Sequence, residues 1–493
     1  MTTPTDPARE ADRHARRDLW DAIARRSDRQ LGWGGYYHHR LRQLYRLAIP
    51  AGSRVLELGC GRGDLLAAVA PSVGVGVDLS VEMVQRARAR YPGLRFIEGD
   101  ALDVDLGETF DVVILSDLIN DVPDVPRLLD RVRRASTPST RVVLNFFSRL
   151  WDLPLSAARR LGLAQPLPGS RGLAVEDVEQ LLQLSGFEVI RRSREVIWPV
   201  RTPLVASAVN KCLTRFWPFS HLSLANLIVA RPFGTPASAV DEAEGRDRPA
   251  APARPLAVSV IVPARNAAGN VPAILARVPE LGAGTEIVFV EGHSSDDTYA
   301  AIERAIAAAP RRRCKLLRQV GKGKGDAVRL GFAEATGDLL MTLDADLSTP
   351  PEELRRCYDV LASGKAEFAN GVRLDYPTGN AATRFLHVLG RNFFGLAFSW
   401  LLGQPVSDTW AGTQALRRAD YLRLAANRAY FGDFDPSGDF DLLFGAAKLN
   451  LKIVDVPVGH RERPDGTTRT PRWRHGLLLL RMTAIAARRL KFV

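Results

Sequence analysis

The sequence predicts an α/β protein of two domains, each built around a largely parallel sheet. Short β-branched runs alternate with amphipathic helical stretches along most of the chain, the pattern of strand–helix–strand units. At 493 residues the chain exceeds one ordinary hydrophobic core. The alternation stops once, between Pro232 and Pro255, where large apolar residues give way to Pro, Ala, Asp, Glu and Arg. That stretch reads as a linker, so the expected domains are 1–232 and 256–493, joined by 233–255. Neither half carries an internal repeat, and the halves are not copies of one another.

A formal charge of +12 calls for an anionic partner or a basic, arginine-rich proteome. Nucleic acid, a membrane face and phosphate-bearing substrates all match the sign. Nucleic-acid binding predicts basic residues interleaved with exposed aromatics. Here the basic residues are dispersed or belong to candidate phosphate loops, so no nucleic-acid partner is expected. Cys60, Cys212, Cys314 and Cys357 are scattered, with no CxxC pair. This argues against a zinc site or a disulfide framework and suits a reducing compartment. The polar stretch from Thr2 to Arg17 is no signal peptide. The longest apolar run, Phe393 to Leu402, is too short to span a bilayer. A cytoplasmic location follows as the expectation.

In the first half, strand 54–58 runs into a glycine turn with Gly59, Gly61 and Gly63, and a helix opens at Asp64. Glycines there let the backbone approach a ligand where a side chain would collide. A second strand, 74–78, ends in Asp78, 21 residues past Glu57. That placement lets a carboxylate accept ribose hydroxyls at the carboxyl ends of the strands. A third strand leads to Asp100 and Ala101, and a fourth, 110–116, ends at Ser116. A glycine triplet alone is as often a packing turn; two further strand-end acids at these distances make the pattern specific. The glycine spacing is GxGxG, not the GxGxxG of dinucleotide-binding folds.

Together these residues resemble the class I S-adenosylmethionine-dependent methyltransferases, over roughly residues 40–230. The resemblance implies a Rossmann-like domain with S-adenosylmethionine as cofactor. Glu57, Gly59, Gly61 and Gly63 would shape the methionine end of the pocket, and Asp78 would bind the ribose. Asp100 and Ala101 would flank the adenine, with Ser116 near the sulfonium. His38 or His39 could serve as a base or be structural, and Asp117, Asn120 and Asp121 follow the fourth strand at the acceptor edge. No NPPY-type sequence is present, which favours a hydroxyl acceptor.

In the second half, strand 258–262 leads through Pro263 to Arg265 and Asn266. A strand ending at Glu291 enters an acidic turn with Asp296, a Gly-Lys loop opens a helix at Lys324, and an apolar strand runs into Asp344 and Asp346. Two carboxylates at i and i+2 after a buried strand suit a hard divalent cation, Mg²⁺ or Mn²⁺, that clamps a diphosphate. A lone DxD is common on solvated surfaces; its companions in order set this one apart.

This set resembles the family 2 glycosyltransferases of the GT-A fold, with the polyprenyl-phosphate branch the nearer likeness, over about 256–475. The resemblance implies a UDP- or GDP-linked nucleotide sugar as donor, a polyprenyl phosphate or other lipid or glycan acceptor, and inverting transfer. Pro263, Arg265, Asn266, Glu291, Asp296, Lys324, Asp344 and Asp346 would hold the nucleotide sugar, the last two through the metal. Asp408 and Gln414 match the acceptor-side loop, Arg461 and Arg463 the basic loop over phosphates. Asp441 is the first candidate base and Asp439 the second; an acceptor that is itself a phosphate needs none. The sequence departs from the family at three places: Ala267 follows Asn266, Gly292 follows Glu291, and Ser348 stands two residues past the DxD motif. These departures keep a rival reading open, in which one domain has lost catalysis and serves as a scaffold.

Two segments suit a peripheral membrane contact on the inner face. Phe385 to Leu402 is apolar. In the C-terminal stretch Leu479, Met482, Ala486, Leu490 and Val493 share one helical face, with Arg474, Arg481 and Arg488 opposite. The alternative is a helix packed on its own domain.

Overall fold

The computed structural model describes residues 7–25, 35–160, 173–200, 202, 204–233, 255–373, 393–407, 412–430, 438–459 and 472–492. The chain divides into two compact units, 1–250 and 251–493.

The first unit opens with helices α1 (Pro7–Arg25) and α2 (Gly35–Ala48). The order is then β1 (Arg54–Leu58), α3 (Asp64–Ala68), β2 (Val73–Asp78), α4 (Val81–Arg90), β3 (Arg95–Glu98), β4 (Phe110–Ser116), α5 (Val125–Arg134) and β5 (Ser136–Phe147). Helices α6 (Asp152–Arg160) and α7 (Val175–Leu184) lead to β6 (Phe187–Glu195), and α8 (Val205–Lys211) precedes β7 (Ala225–Pro232). The seven strands lie in the order β3-β2-β1-β4-β5-β7-β6. The first five are parallel, and β7 runs antiparallel between β5 and β6. Caps set helix starts where the sequence offers them: Ser80 Oγ accepts from Met83 N, and Asp124 accepts from Arg127 N with Pro126 in the first turn. Strands buried on both faces explain the continuous apolar runs. One core includes Leu56, Val75, Val113 and Leu144, the other Val55, Ile114, Val143 and Leu66.

The second unit repeats the principle with a different strand order. Strands β8 (Val258–Ala264), β9 (Thr285–Glu291), β10 (Arg313–Arg318) and β11 (Leu339–Thr342) are parallel, in the order β10-β9-β8-β11. The sheet continues through β13 (Gln414–Arg417) and β12 (Phe368–Arg373) to β14 (Ile453–Val458). Strand β13 is antiparallel to both β11 and β12, so the chain reverses beside the end of β11.

The C-terminal helix resolves the choice left open above. Leu479, Met482, Ala486 and Leu490 are buried in one core with Phe398, Leu443 and Phe444, so the face offered to a membrane packs on its own domain. Exposing such side chains costs roughly 1.5–3 kcal/mol each, which holds the face down. In the upstream segment Phe398, Leu401 and Leu402 join the same core while Phe393 and Leu396 are exposed. Residues 385–392 and Val493 lie outside the described residues. Among the described residues no helix is long and apolar enough to cross a membrane.

Candidate active sites

The first site forms at the carboxyl ends of β1, β2 and β4, beside the point where strand order reverses. Gly59, Gly61 and Gly63 take φ of 72°, 50° and 76°, left-handed backbone that side chains resist. A Cβ on Gly61 would meet nothing within 4 Å, so the turn presents bare backbone to open space. Asp78 ties this turn to β2: one carboxylate oxygen accepts from Gly61 N at 2.7 Å, the other from Ser80 N at 2.9 Å. Burial pushes the Asp78 carboxyl up to about 6, against the pull of those two N–H groups.

Behind the turn Glu57 is buried, its pKa raised by desolvation, and Oε2 has no hydrogen-bond partner among the described residues. Asp100 and Ala101 are both buried; Asp100 Oδ1 accepts from Leu102 N at 2.9 Å. Ser116 is half-buried at the end of β4. The expected residues therefore gather at one edge, and the buried, unpartnered carboxylate oxygen beside a bare glycine turn fits a polar nucleoside cofactor.

Two features were not singled out in the sequence. The first is helix α1, which lies across this edge. Trp20 Nε1 donates to Asp121 at 3.0 Å, Arg13 and Arg16 stand 3.9 and 3.8 Å from Asp100, and Ser80 Oγ donates to Asp21. The second is a buried network past β4. Tyr37 OH donates to Asp117 Oδ1 at 2.8 Å, Asn145 Nδ2 donates to the same oxygen at 2.5 Å, and Tyr45 OH donates to Asn145 Oδ1 at 2.7 Å. Asp117 has φ 56°, a strained value for a non-glycine residue and a mark of functional positions. Burial pushes its carboxyl up to about 7, although both hydrogen bonds favour the ionised form. His38 and His39 are exposed, and His39 pairs with Gln43 at 3.1 Å.

The second site forms where β8, β9 and β11 end. Asn266, at φ 51°, accepts from Ser295 N at 2.8 Å, and Glu291 accepts from Ser294 N at 2.6 Å. The first bond joins the two loops and the second shapes the turn after β9, with Pro263 half-buried and Arg265 exposed beside them. Asp296 accepts from the Thr298 hydroxyl and N–H, which hold its carboxyl below the usual range and commit it to the start of helix Thr298–Ala308. At Gly292, one of the departures, a Cβ would stand 2.8 Å from Gln319 Oε1, so a second acid there would displace the Gln319 side chain.

Lys324 Nζ lies 2.9 Å from Asp344 Oδ1, and Asp346 accepts from Ser348 N at 2.9 Å. Both acids are half-exposed hard-oxygen donors, two residues apart after a buried strand, which fits a divalent cation completed by water and diphosphate. Among the described residues no group of three or more His, Cys, Asp or Glu forms a ready-made metal cage. Thr342 Oγ1 donates to Gly412 O at 3.0 Å and accepts from Gln414 N at 2.8 Å, holding the return segment against β11. A Cβ on Gly412 would lie 1.8 Å from Asp344 Oδ2, so any side chain there would push the Asp344 carboxylate from its place. Gly438, at φ 81°, packs so closely on Gly325 that its Cβ would stand 2.6 Å from the Gly325 Cα. The helix Asp439–Lys448 therefore starts beside Lys324.

The first candidate base, Asp441, is held in place by a neighbouring cation. It is buried and ion-paired with Arg428 at 3.0 Å. Gln414 is likewise buried within β13. Asp408, Arg461, Arg463 and the side chain of Asp439 lie outside the described residues.

Comparison with known proteins identifies both domains. Residues 27–192 match the family model "Methyltransferase domain", and residues 259–423 match "Glycosyl transferase family 2". The undecaprenyl-phosphate 4-deoxy-4-formamido-L-arabinose transferase of Aeromonas hydrophila is 34% identical over 218 residues, covering 43% of this chain and 62% of that protein. Its counterpart from Sodalis glossinidius is 37% identical over 109 residues, covering 21% of this chain and 33% of that protein. The chain thus spans less than two thirds of these relatives. Among solved structures, the complex of the Haloferax volcanii Trm112 methyltransferase activator with a putative methyltransferase aligns at 18% identity and a TM-score of 0.35, covering 44% of this chain and 98% of that one. The chain carries two transferase domains in tandem, a methyltransferase domain over residues 27–192 and a glycosyl transferase family 2 domain over residues 259–423.

Proposed function

We propose that the chain is a bifunctional enzyme, with domains at 1–232 and 256–493, that transfers a methyl group from S-adenosylmethionine and a glycosyl group from a nucleotide sugar. The observation that carries the first activity is the closure of the bare Gly61 turn onto Asp78. Bound there, S-adenosylmethionine supplies an electrophilic methyl. Asp78 orients the ribose, Asp100 and Ala101 flank the adenine, and Glu57 and the glycines shape the methionine end. Alignment of acceptor and methyl is then most of the remaining task. Asp117, at the acceptor edge with a carboxyl near 7, takes the proton of a hydroxyl acceptor.

For the second activity, the relatives' names support a polyprenyl phosphate as acceptor. Asp344 and Asp346 hold Mg²⁺ or Mn²⁺, which supplies positive charge against the departing diphosphate. Lys324, already beside Asp344, adds to that charge and positions the phosphates. Pro263, Arg265, Asn266 and Glu291 line the nucleotide side, with Asp296 bracing the loop. Arg461, Arg463 and Asp408 serve the phosphate and acceptor side, and the buried Gln414 braces the segment that leads to it. Asp441 fixes Arg428; a phosphate acceptor is already ionised and needs no base, so Asp441 and Asp439 would position the acceptor or the metal in an inverting displacement.

Titration calorimetry of the full chain tests both pockets. S-adenosylhomocysteine should bind wild type and lose at least 100-fold in affinity with Asp78→Ala. UDP- or GDP-sugar should bind in the presence of Mn²⁺ and lose that dependence with Asp344→Asn. Equal heats in variant and wild type would refute the corresponding site.

A further inference from the structure

Strands β6 and β7 are antiparallel neighbours, a pair that two to five residues can join. Here the connection runs from 196 to 224, 29 residues. Hydrogen-bond pairing fixes its location: Glu195 and Phe147 both pair with Ala225, so it leaves and re-enters the sheet at the carboxyl end of β5. That is the edge that carries Ser116 and Asp117, since Ser116 pairs with Asn145 two residues earlier on β5. Tyr36 OH donates to Ala206 O at 3.2 Å, and the next residue of α2, Tyr37, donates to Asp117. The connection is therefore an overhang on the acceptor side of the methyl-transfer site, and it begins beyond the matched methyltransferase segment.

Its surface is unlike that of a solvated loop. Trp198, Leu204, Phe216, Trp217, Phe219 and Leu222 are all exposed, Leu204 by 87% and Trp217 by 80%. Polar anchors hold the backbone beneath them: Asn210 accepts from Ile197 N and Trp198 N, Trp151 Nε1 donates to Leu222 O, and Arg215 forms a bidentate pair with Glu195. Between 196 and 224 there is no Asp or Glu, while Arg201, Lys211 and His221 are basic and Arg215 is already paired with Glu195, in a chain of charge +12. Six exposed large apolar residues within one 29-residue connection mark an interaction site. Trp and Phe with basic residues and no acid match the headgroup region of an anionic bilayer, where an indole is buried while its N–H stays wet.

We propose that the β6–β7 connection docks on an anionic lipid bilayer, so that the methyltransferase domain takes an acceptor carried in that membrane. This rests on the methyl-transfer reading of the adjacent site. The acceptor is then an amphiphile, with its hydroxyl at Asp117 and its apolar part against the aromatic overhang.

Cys212 is exposed within the connection and can carry an environment-sensitive fluorophore, in full-length protein with Cys314→Ser. Vesicles containing phosphatidylglycerol should shift its emission to the blue and bind the protein at least tenfold better than phosphatidylcholine vesicles. The triple change Trp217→Ser, Phe219→Ser, Leu222→Ser should abolish the shift and lower vesicle partitioning at least tenfold. It should leave S-adenosylhomocysteine binding unchanged, which shows the domain is folded. No shift with either vesicle, or equal partitioning of the triple variant, would overturn the proposal. So would a concentration-dependent oligomer of wild type that the triple change dissolves without lipid, because a second copy would then cover the face. A shift in a chain that does not bind S-adenosylhomocysteine would keep the docking surface and overturn the methyltransferase reading instead.

Discussion

At the scale of single residues, Asp117 and Gly412 offer the most direct tests of the proposed chemistry. Asp117 is held at positive φ, with Tyr37 and Asn145 both donating to Oδ1 and a carboxyl near 7. Because this pKa is raised above an ordinary aspartate, the folded state binds the extra proton between about pH 4 and pH 7. The sign follows: stability from this group is fully present below pH 4 and is lost as pH rises to 7, by roughly 4 kcal/mol at most. Asp117→Asn should flatten that loss in a melting-temperature series from pH 5 to pH 8.5, and the same loss persisting in the variant would contradict the assignment. For methyl transfer, the rate should rise through pH 7 in wild type and lose that limb in Asp117→Asn. Gly412→Ala forces a methyl group onto Asp344 Oδ2. Release of nucleotide from the sugar donor should fall about 100-fold, while the melting temperature moves by only a few degrees.

Among the elements, α1 is the clearest case of structure adding to what the sequence told. Its small apolar cluster, Ile23 and Ala24 with Met83, is separate from the main cores. Its polar bonds go to Asp100, Asp121 and Ser80 at the cofactor edge. An element held this way is locally weak and coupled to the pocket it covers. Trp20→Ala should therefore weaken S-adenosylhomocysteine about tenfold, chiefly through faster dissociation, and leave the global melt nearly unchanged; unaltered dissociation would argue that α1 is bystander. The strands were legible because buried β-strands need continuous β-branched runs, and the pocket acids because they stand where those strands end. Helix α1 was not, because a charged helix without an apolar run looks like a polar leader until its partners, far off in sequence, are in place. The same limit applies to amphipathy. The stripe of Leu479, Met482, Ala486 and Leu490 shows that one face is buried but not against what, and the answer is its own core. Asp441 carried the right chemistry in the right motif, yet the sequence does not display the Arg428 that neutralises it.

On the scale of the whole molecule, two transferase domains share one chain across a stretch without apolar patterning. The two proposals share a lipid-borne acceptor. The relatives of the glycosyl transferase domain are named for undecaprenyl phosphate, and the methyltransferase domain presents an aromatic, acid-free overhang at its acceptor edge. Related steps on one lipid-linked glycan would give the fusion a chemical reason. The strongest test of two independent catalytic sites is release of UDP or GDP from a panel of nucleotide sugars, with Mn²⁺ and polyprenyl phosphate, in full-length wild type, Asp344→Asn and Asp78→Ala. The account predicts acceptor-dependent release that is lost in Asp344→Asn and kept within about twofold in Asp78→Ala. Release that survives Asp344→Asn, or that disappears with Asp78→Ala in a folded protein, would contradict it.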